Sequence, residues 1–261
     1  MKRYILPVIL VVCIAIVAVF FANQFSSDAQ QPTVSALAQP SAVKNQGIVA
    51  SNTTGVASNA TSSCTGLACQ TPTIIDVPFS VQAPFGVWDE VHEETCEETA
   101  VMMVAAFYNG ETGVIPKKTA DTRILHIVDV ENQLLGFYKD TSATATAAFT
   151  TKTYPSLRVD ILPLKSVDDI KRQLQQGIPV ILPTDGKKLY NPNFKNGGPK
   201  YHMLVIIGYK NGYFITNDPG TRRGKSYLYK ENVLFTAAHD WNNGDVPHGK
   251  KVMIIITSVG Q

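Results

Sequence analysis

Hydrophobic positions fall into three regimes along this chain. From Ile5 to Ala22 they form an unbroken run with no charged side chain. A helix of that length, rising about 1.5 Å per residue, nearly crosses a hydrocarbon core of about 30 Å. From Asn23 to Thr73 the apolar pattern vanishes into Ser, Thr, Ala, Gln and Pro, with Asp28 and Lys44 the only charges. From Ile74 onward the pattern returns and has a readable period. Ile74 to Phe79 reads as a short strand, and Ser80 to Glu94 as a loop containing Pro84 and Gly86. Thr95 to Tyr108 carries its apolar residues at helical spacing and stops at Asn109-Gly110. Further helices are predicted over Lys117 to Leu135 and Ser142 to Thr150, and from the capping box Ser166-Val167-Asp168-Asp169 to Gly177.

Beyond Gly177 the period becomes extended. Strands are predicted over Pro179 to Pro183, Tyr201 to Lys210, Tyr213 to Asn217, Lys225 to Tyr229 and Val252 to Thr257. Asn211-Gly212 is a hairpin signal, and Asp218-Pro219-Gly220 turns the chain again. Helices first and antiparallel strands afterwards make an α+β domain.

Three segments follow: a cytoplasmic tip and signal anchor over 1–22, a flexible tether over 23–73, and one folded domain over 74–261. Lys2 and Arg3 predict a cytoplasmic N-terminus, with the rest of the chain outside the cell membrane. A cleaved signal peptide competes with the anchor. Its apolar region is usually shorter, about 7–15 residues, and the small-x-small pattern Ala36-Leu37-Ala38 lies far downstream. The tether cannot bury enough surface to offset its chain entropy, and as a coil it spans on the order of 40 Å.

Charge and cysteines narrow the function. A formal net charge of +2 over 261 residues, without a Lys/Arg cluster, excludes nucleic acid as an expected partner. Four cysteines are too few for a disulfide scaffold. Cys13 sits in the apolar run, Cys64 and Cys69 suit a small disulfide loop within the tether, and Cys96 stands alone. No clustered metal ligands or phosphate loop occurs, so no cofactor is expected.

Thr95 as N-cap, with Glu98 completing a capping box, would put Cys96 at a helix start, where free N–H groups favour a thiolate. Glu93, Glu94, Glu97 and Glu98 oppose it, so a cationic partner is required. His202 opens the strand Tyr201 to Ile207, and across the Asn211-Gly212 hairpin Asp218 ends the next one. The hairpin returns Asp218 beside His202, as a carboxylate must stand to fix an imidazole. The alternative is a buried structural cysteine, with His202 and Asp218 as strand-end residues.

These residues carry a resemblance. Gln82-Ala83-Pro84-Phe85-Gly86-Val87-Trp88 and Thr95-Cys96-Glu97-Glu98-Thr99-Ala100 resemble the N-terminal signature of domains related to bacteriocin-processing (double-glycine leader) peptidases. That is cysteine peptidase family thirty-nine, which has a papain-like fold. Gly177-Ile178-Pro179-Val180-Ile181, the Tyr201 to Tyr209 strand and Asn217-Asp218-Pro219 are similar to its later blocks, in the same order. The resemblance implies Cys96 as nucleophile, His202 as general base, Asp218 as its orienting group and Gln82 as oxyanion donor. Two departures stand: Thr95 replaces a glycine that often precedes the cysteine, and the stretch from Gln82 to Cys96 is longer than in the processing peptidases.

The expected activity is hydrolysis of peptide or amide bonds through an acyl-thioenzyme at Cys96. Its substrate would be a peptide or protein, and the N-terminal helix would contact the membrane. A catalytically degenerate domain binding peptide or cell-envelope ligands is the rival. Among the other histidines, His92 reads as solvated, His126 as a core residue, and His239 and His248 as loop residues near Trp241.

Overall fold

A computed structural model describes residues 74–260. The predicted anchor, the tether, Cys13, Cys64 and Cys69 lie outside these residues. Among the described residues no helix is long and apolar enough to cross a membrane.

The chain forms α1 (Cys96–Tyr108), α2 (Lys117–Leu135), α3 (Ala143–Thr153), β1 (Leu157–Pro163), α4 (Val167–Gln175), β2 (Val180–Thr184), β3 (His202–Lys210), β4 (Tyr213–Asn217), β5 (Tyr227–Lys230), α5 (Glu231–Ala237) and β6 (Val252–Ser258). The strands make one sheet in the order β1-β6-β2-β3-β4-β5, and every pairing is antiparallel. This is the predicted α+β arrangement. Every residue of β2 is buried, as is all of β3 except Lys210, so the centre of the sheet is covered on both faces.

Sequence chemistry explains the joints. Gly110, after the C-cap Asn109, has φ +76° and donates its N–H to Phe107 O. Asn211 and Gly212 both take positive φ (51° and 79°), which suits a tight hairpin between β3 and β4. Asp169 Oδ2 accepts the Ser166 N–H at 2.7 Å, closing the predicted capping box of α4.

Three elements differ from expectation. Residues 74–79 make only single bridges, Ile74 to Gly208 and Phe79 to Val114, and no ladder. Pro78 has no N–H to give one. Strand β1 and helix α5 were not foreseen. β1 is an edge strand that pairs only with β6 and has one buried residue, so its polar Arg158 and Asp160 mask it.

The helix that matters most is α1. Residues Cys96 to Ala106 are all buried, three of them (Glu97, Glu98 and Thr99) polar or charged at its N-terminal end. It packs against β3, and at its other end Tyr108 Oη donates to Ile256 O at 2.7 Å. A helix enclosed all round has no polar face to place outward. Its first turn is therefore where Glu97 and Glu98 become buried acids.

Candidate active site

Cys96 is the first residue of α1, as expected, but the predicted cap does not form. Thr95 sits at φ −101°, ψ 37°, outside the extended geometry that turns an N-cap hydroxyl onto the first turn. Its hydroxyl lies instead 3.5 Å from Gln82 O. Neither carboxylate oxygen of Glu98 bonds Thr95, and its neighbour is the Glu131 carboxyl.

The packing of α1 on β3 brings the thiol to the start of that strand. The Met203 N–H donates to Cys96 Sγ at 3.4 Å, one residue past His202. His202 in turn pairs through Nε2 with Asp218 Oδ1 at 2.8 Å. A bulge makes this pairing possible. From the hairpin, Gly208 faces Ile215, but the register then shifts so that Ile206 faces Thr216 and Val205 faces Asn217. One further step sets Asp218 opposite Leu204, on the same face as His202 and diagonal to it. Without the extra residue Asp218 would face Val205 and point to the other side of the sheet. The bulged Ile207 offers its carbonyl to the Ile75 N–H at 2.8 Å, which ties the N-terminal segment to the irregularity.

Asp218 is fully enclosed and fully bonded. Oδ1 accepts from His202 and from the Gly220 N–H (3.0 Å), and Oδ2 accepts from Tyr229 Oη (2.6 Å) and Asn191 Nδ2 (3.3 Å). Burial alone would raise its pKa. The His202 charge and the hydrogen bonds from His202, Tyr229 and Gly220 outweigh that and hold it below the usual carboxylate range. Phe194 stands edge-on to the imidazole, 5.3 Å between ring centres. A Cβ on Gly220 would meet His202 Cε1 and Phe194 Cε1, each at 2.9 Å, so the approach here needs glycine.

Gln82 joins the two halves through its backbone. Its N–H donates to Pro219 O at 2.9 Å, and its carbonyl faces Thr95. Its side-chain Nε2 is spent on His92 O (2.8 Å) and Glu93 O (3.1 Å), while Oε1 is buried without a partner. In this geometry the amide clamps the loop before Cys96.

The thiol's surroundings are acidic. Cys96 Sγ donates to Glu97 Oε2 at 3.0 Å. Among the described residues Sγ bonds only Glu97 and Met203 N, and not the imidazole. Burial first, then the Glu97 carboxylate beside it, push the Cys96 thiol well above its ordinary pKa. Glu97 is itself raised, by burial and then by the Glu98 charge. Glu98 is raised by burial and by Glu131 of α2, and Glu131 is pushed up to about 8, chiefly by burial. Cys96, His202 and Asp218 are 6%, 1% and 0% exposed, so this is a dry site.

Sequence reasoning missed Glu97 as a partner of the thiol, though its position directly after Cys96 was a signal. Asn191 and Tyr229, which enclose Asp218, left none. His92 is not solvated: its ring nitrogens pair with Asp89 (2.8 Å) and Asp121 (3.1 Å) and pin the loop to α2. His126 is not core. It is exposed and lines a cavity of about 270 Å³ with Arg123, Asn109 and Tyr154. Among the described residues no group of three His, Cys, Asp or Glu could hold a metal ion.

The described residues thus combine a mixed helical and antiparallel fold with a cysteine at a helix start and a His–Asp pair on the adjoining hairpin. The chain belongs to the Peptidase_C39 like family, whose model matches residues 74–244. Among solved structures it is similar to a C39-like peptidase from Bacillus anthracis, at 16% identity and a TM-score of 0.48, covering 74% of this chain and all of that one. It is also similar to a double glycine motif protease from an AMS/PCAT transporter in complex with the leader peptide, at 14% identity and a TM-score of 0.40, covering 73% of this chain and all of that one. No curated protein matches.

Proposed function

We propose that this protein is a cysteine peptidase that hydrolyses peptide or amide bonds through an acyl-thioenzyme at Cys96. Residues 5–22 would anchor it in the membrane, with the domain on the extracytoplasmic side. The observation that carries the reading is the His202–Asp218 pair beside the backbone that contacts the Cys96 sulfur. Asp218 occupies Nε2 and fixes the tautomer, so Nδ1 is the nitrogen that takes the thiol proton. The thiolate then adds to the scissile carbonyl, and the imidazolium protonates the leaving amine. Water, deprotonated by the same imidazole, releases the acid. Gln82 becomes an oxyanion donor only if its amide leaves the His92 and Glu93 carbonyls.

A second reading has a specific observation behind it: the sulfur bonds Glu97 rather than His202, as suits a domain that binds peptides without turning them over. Digestion of a denatured peptide mixture, with new termini read by mass spectrometry, separates the two. The peptidase reading expects cleavages by the wild type that vanish in Cys96→Ala and His202→Ala. Identical termini from wild type and Cys96→Ala, with peptide binding retained, would establish the binding domain instead.

A further inference from the structure

The bond between Cys96 and Glu97 is out of place in a resting thiol peptidase, where the sulfur's partner should be the imidazole. We propose that Glu97 is a positioning residue acting as a brake on Cys96. Its carboxyl group holds the thiol's hydrogen bond, so the thiolate forms only when that bond is given up and the proton passes to His202. The inference rests on the reading of Cys96 as nucleophile.

Geometry carries it. The side chain of Glu97 turns to Sγ at 3.0 Å although it lies on the adjoining residue of the same helix turn. Glu97 is 1% exposed, so water does not compete for the thiol. The groups facing this carboxyl are acidic or neutral on every side: Cys96 and Glu98 on α1, Glu131 on α2, Asp140 in the α2–α3 loop and the Tyr201 hydroxyl before β3. No cation among the described residues forms a salt bridge with it. Wherever that carboxyl is ionised, a thiolate at Cys96 forms beside a negative charge in a medium that screens it poorly, and the Glu97 charge is a cause, after burial, of the raised Cys96 pKa.

Release is a single proton transfer. The S–H bond breaks, the N–H bond at His202 Nδ1 forms, and the charges created are a thiolate and an imidazolium. Asp218 already balances the second. Met203 N–H remains on the sulfur throughout and supports the anion. The brake therefore opposes the first chemical step and leaves the His–Asp pair untouched.

The test is the pH profile of Cys96 alkylation by iodoacetamide, followed beside the ultraviolet thiolate absorbance, which needs no substrate. Glu97→Gln keeps the side chain's size and removes its charge. It should move both profiles to lower pH and speed alkylation at pH 7 about tenfold or more, as a tenfold larger thiolate fraction requires. Unchanged or slower alkylation overturns the brake. Glu98→Gln is the control: an acceleration as large as that of Glu97→Gln assigns the effect to the whole acidic cluster and also overturns it. Should Glu97→Gln not fold, the wild type carries the test through its infrared S–H stretch, which is lost in Cys96→Ser. A band at lower frequency than a free thiol supports the bond to Glu97, and one at the free-thiol frequency overturns it. His202→Ala separates the two layers. If Glu97→Gln is inert while His202→Ala shifts the profile upward, only the brake fails. If both are inert, the Cys–His pairing beneath it fails.

Discussion

Asp218 and Glu98 are both carboxylates with no solvent exposure, in one site. The first has four hydrogen-bond donors and a pKa below the usual range; the second has the Glu131 carboxyl for a neighbour and a raised pKa. The hairpin side of the site thus has its carboxylate fully bonded and its imidazole held through Nε2. The helix side differs. It holds a thiol and two glutamates whose pKa values burial raises. Buried charge is tolerated where donors surround it and suppressed where they do not. One site holds both outcomes, a fully bonded carboxylate behind His202 and poorly compensated acids beside Cys96.

The sharpest way to break this contrast is to remove the charge on the hairpin side. Asp218→Asn leaves shape nearly unchanged but offers His202 an amide in place of an anion. The imidazolium then loses its counter-ion and Nε2 its tautomer-fixing acceptor, so turnover should fall by about 10⁴, as it does when the equivalent charge is removed from a Ser-His-Asp triad. Steady-state cleavage of a peptide identified in the wild-type digest measures it. A loss under tenfold would mean that Asp218 is only a structural anchor. The wild type should also lose stability in acid. Its lowered Asp218 pKa contributes stability above the ordinary carboxylate value, and that contribution disappears as pH falls through the folded value.

A smaller break tests how complete the enclosure must be. Tyr229→Phe removes the 2.6 Å hydrogen bond to Asp218 Oδ2 and leaves the His202 bond in place. Hydrogen bonds to charged groups are worth about 1.5–3 kcal/mol, so thermal or urea unfolding should register a loss of that size. Because Asn191 Nδ2 also donates to Asp218 and to Tyr229 Oη, it can partly cover the gap. Turnover should therefore fall less than in Asp218→Asn.

The two sides also differed in how far they could be read from sequence. The hairpin side was legible because Asn211-Gly212 forces an antiparallel return, which brings position 218 back to position 202. Its bulge at Ile207 was not legible, yet the face of Asp218 depends on it. Nor were Asn191 and Tyr229, which arrive from a loop and from β5 through tertiary packing alone. On the helix side, the boundary at Cys96 and the stop at Asn109-Gly110 followed from pattern, while the capping box over Thr95 to Glu98 did not form. Thr95 is not in the extended conformation the motif needs, and its hydroxyl turns to Gln82 O instead. The glutamates read from sequence as a cost to the thiolate do raise the Cys96 pKa, through Glu97 and Glu98. Which one touches the sulfur is a matter of rotamer and packing, and sequence spacing does not contain it.

The gentlest test relieves the helix side without touching the thiol. Glu131 faces Glu98 from α2, has no partner on its oxygens other than that carboxyl, and is pushed up to about 8 from 4.5, chiefly by burial. A carboxyl raised in the folded state keeps a proton that the unfolded chain releases. Its contribution to stability is complete below the unfolded value and is lost as pH rises through the folded one. The wild type should therefore weaken between about pH 4.5 and 8 by this route. Glu131→Gln is neutral at every pH and should flatten that decline, leaving the variant more stable at pH 8 by on the order of 1 kcal/mol. Paired urea titrations at pH 5 and pH 8 measure the difference of differences, which cancels whatever the substitution does to packing. An equal effect at both pH values would mean that Glu131 does not change its charge over this range, and the contrast with Asp218 would then rest on hydrogen bonding alone.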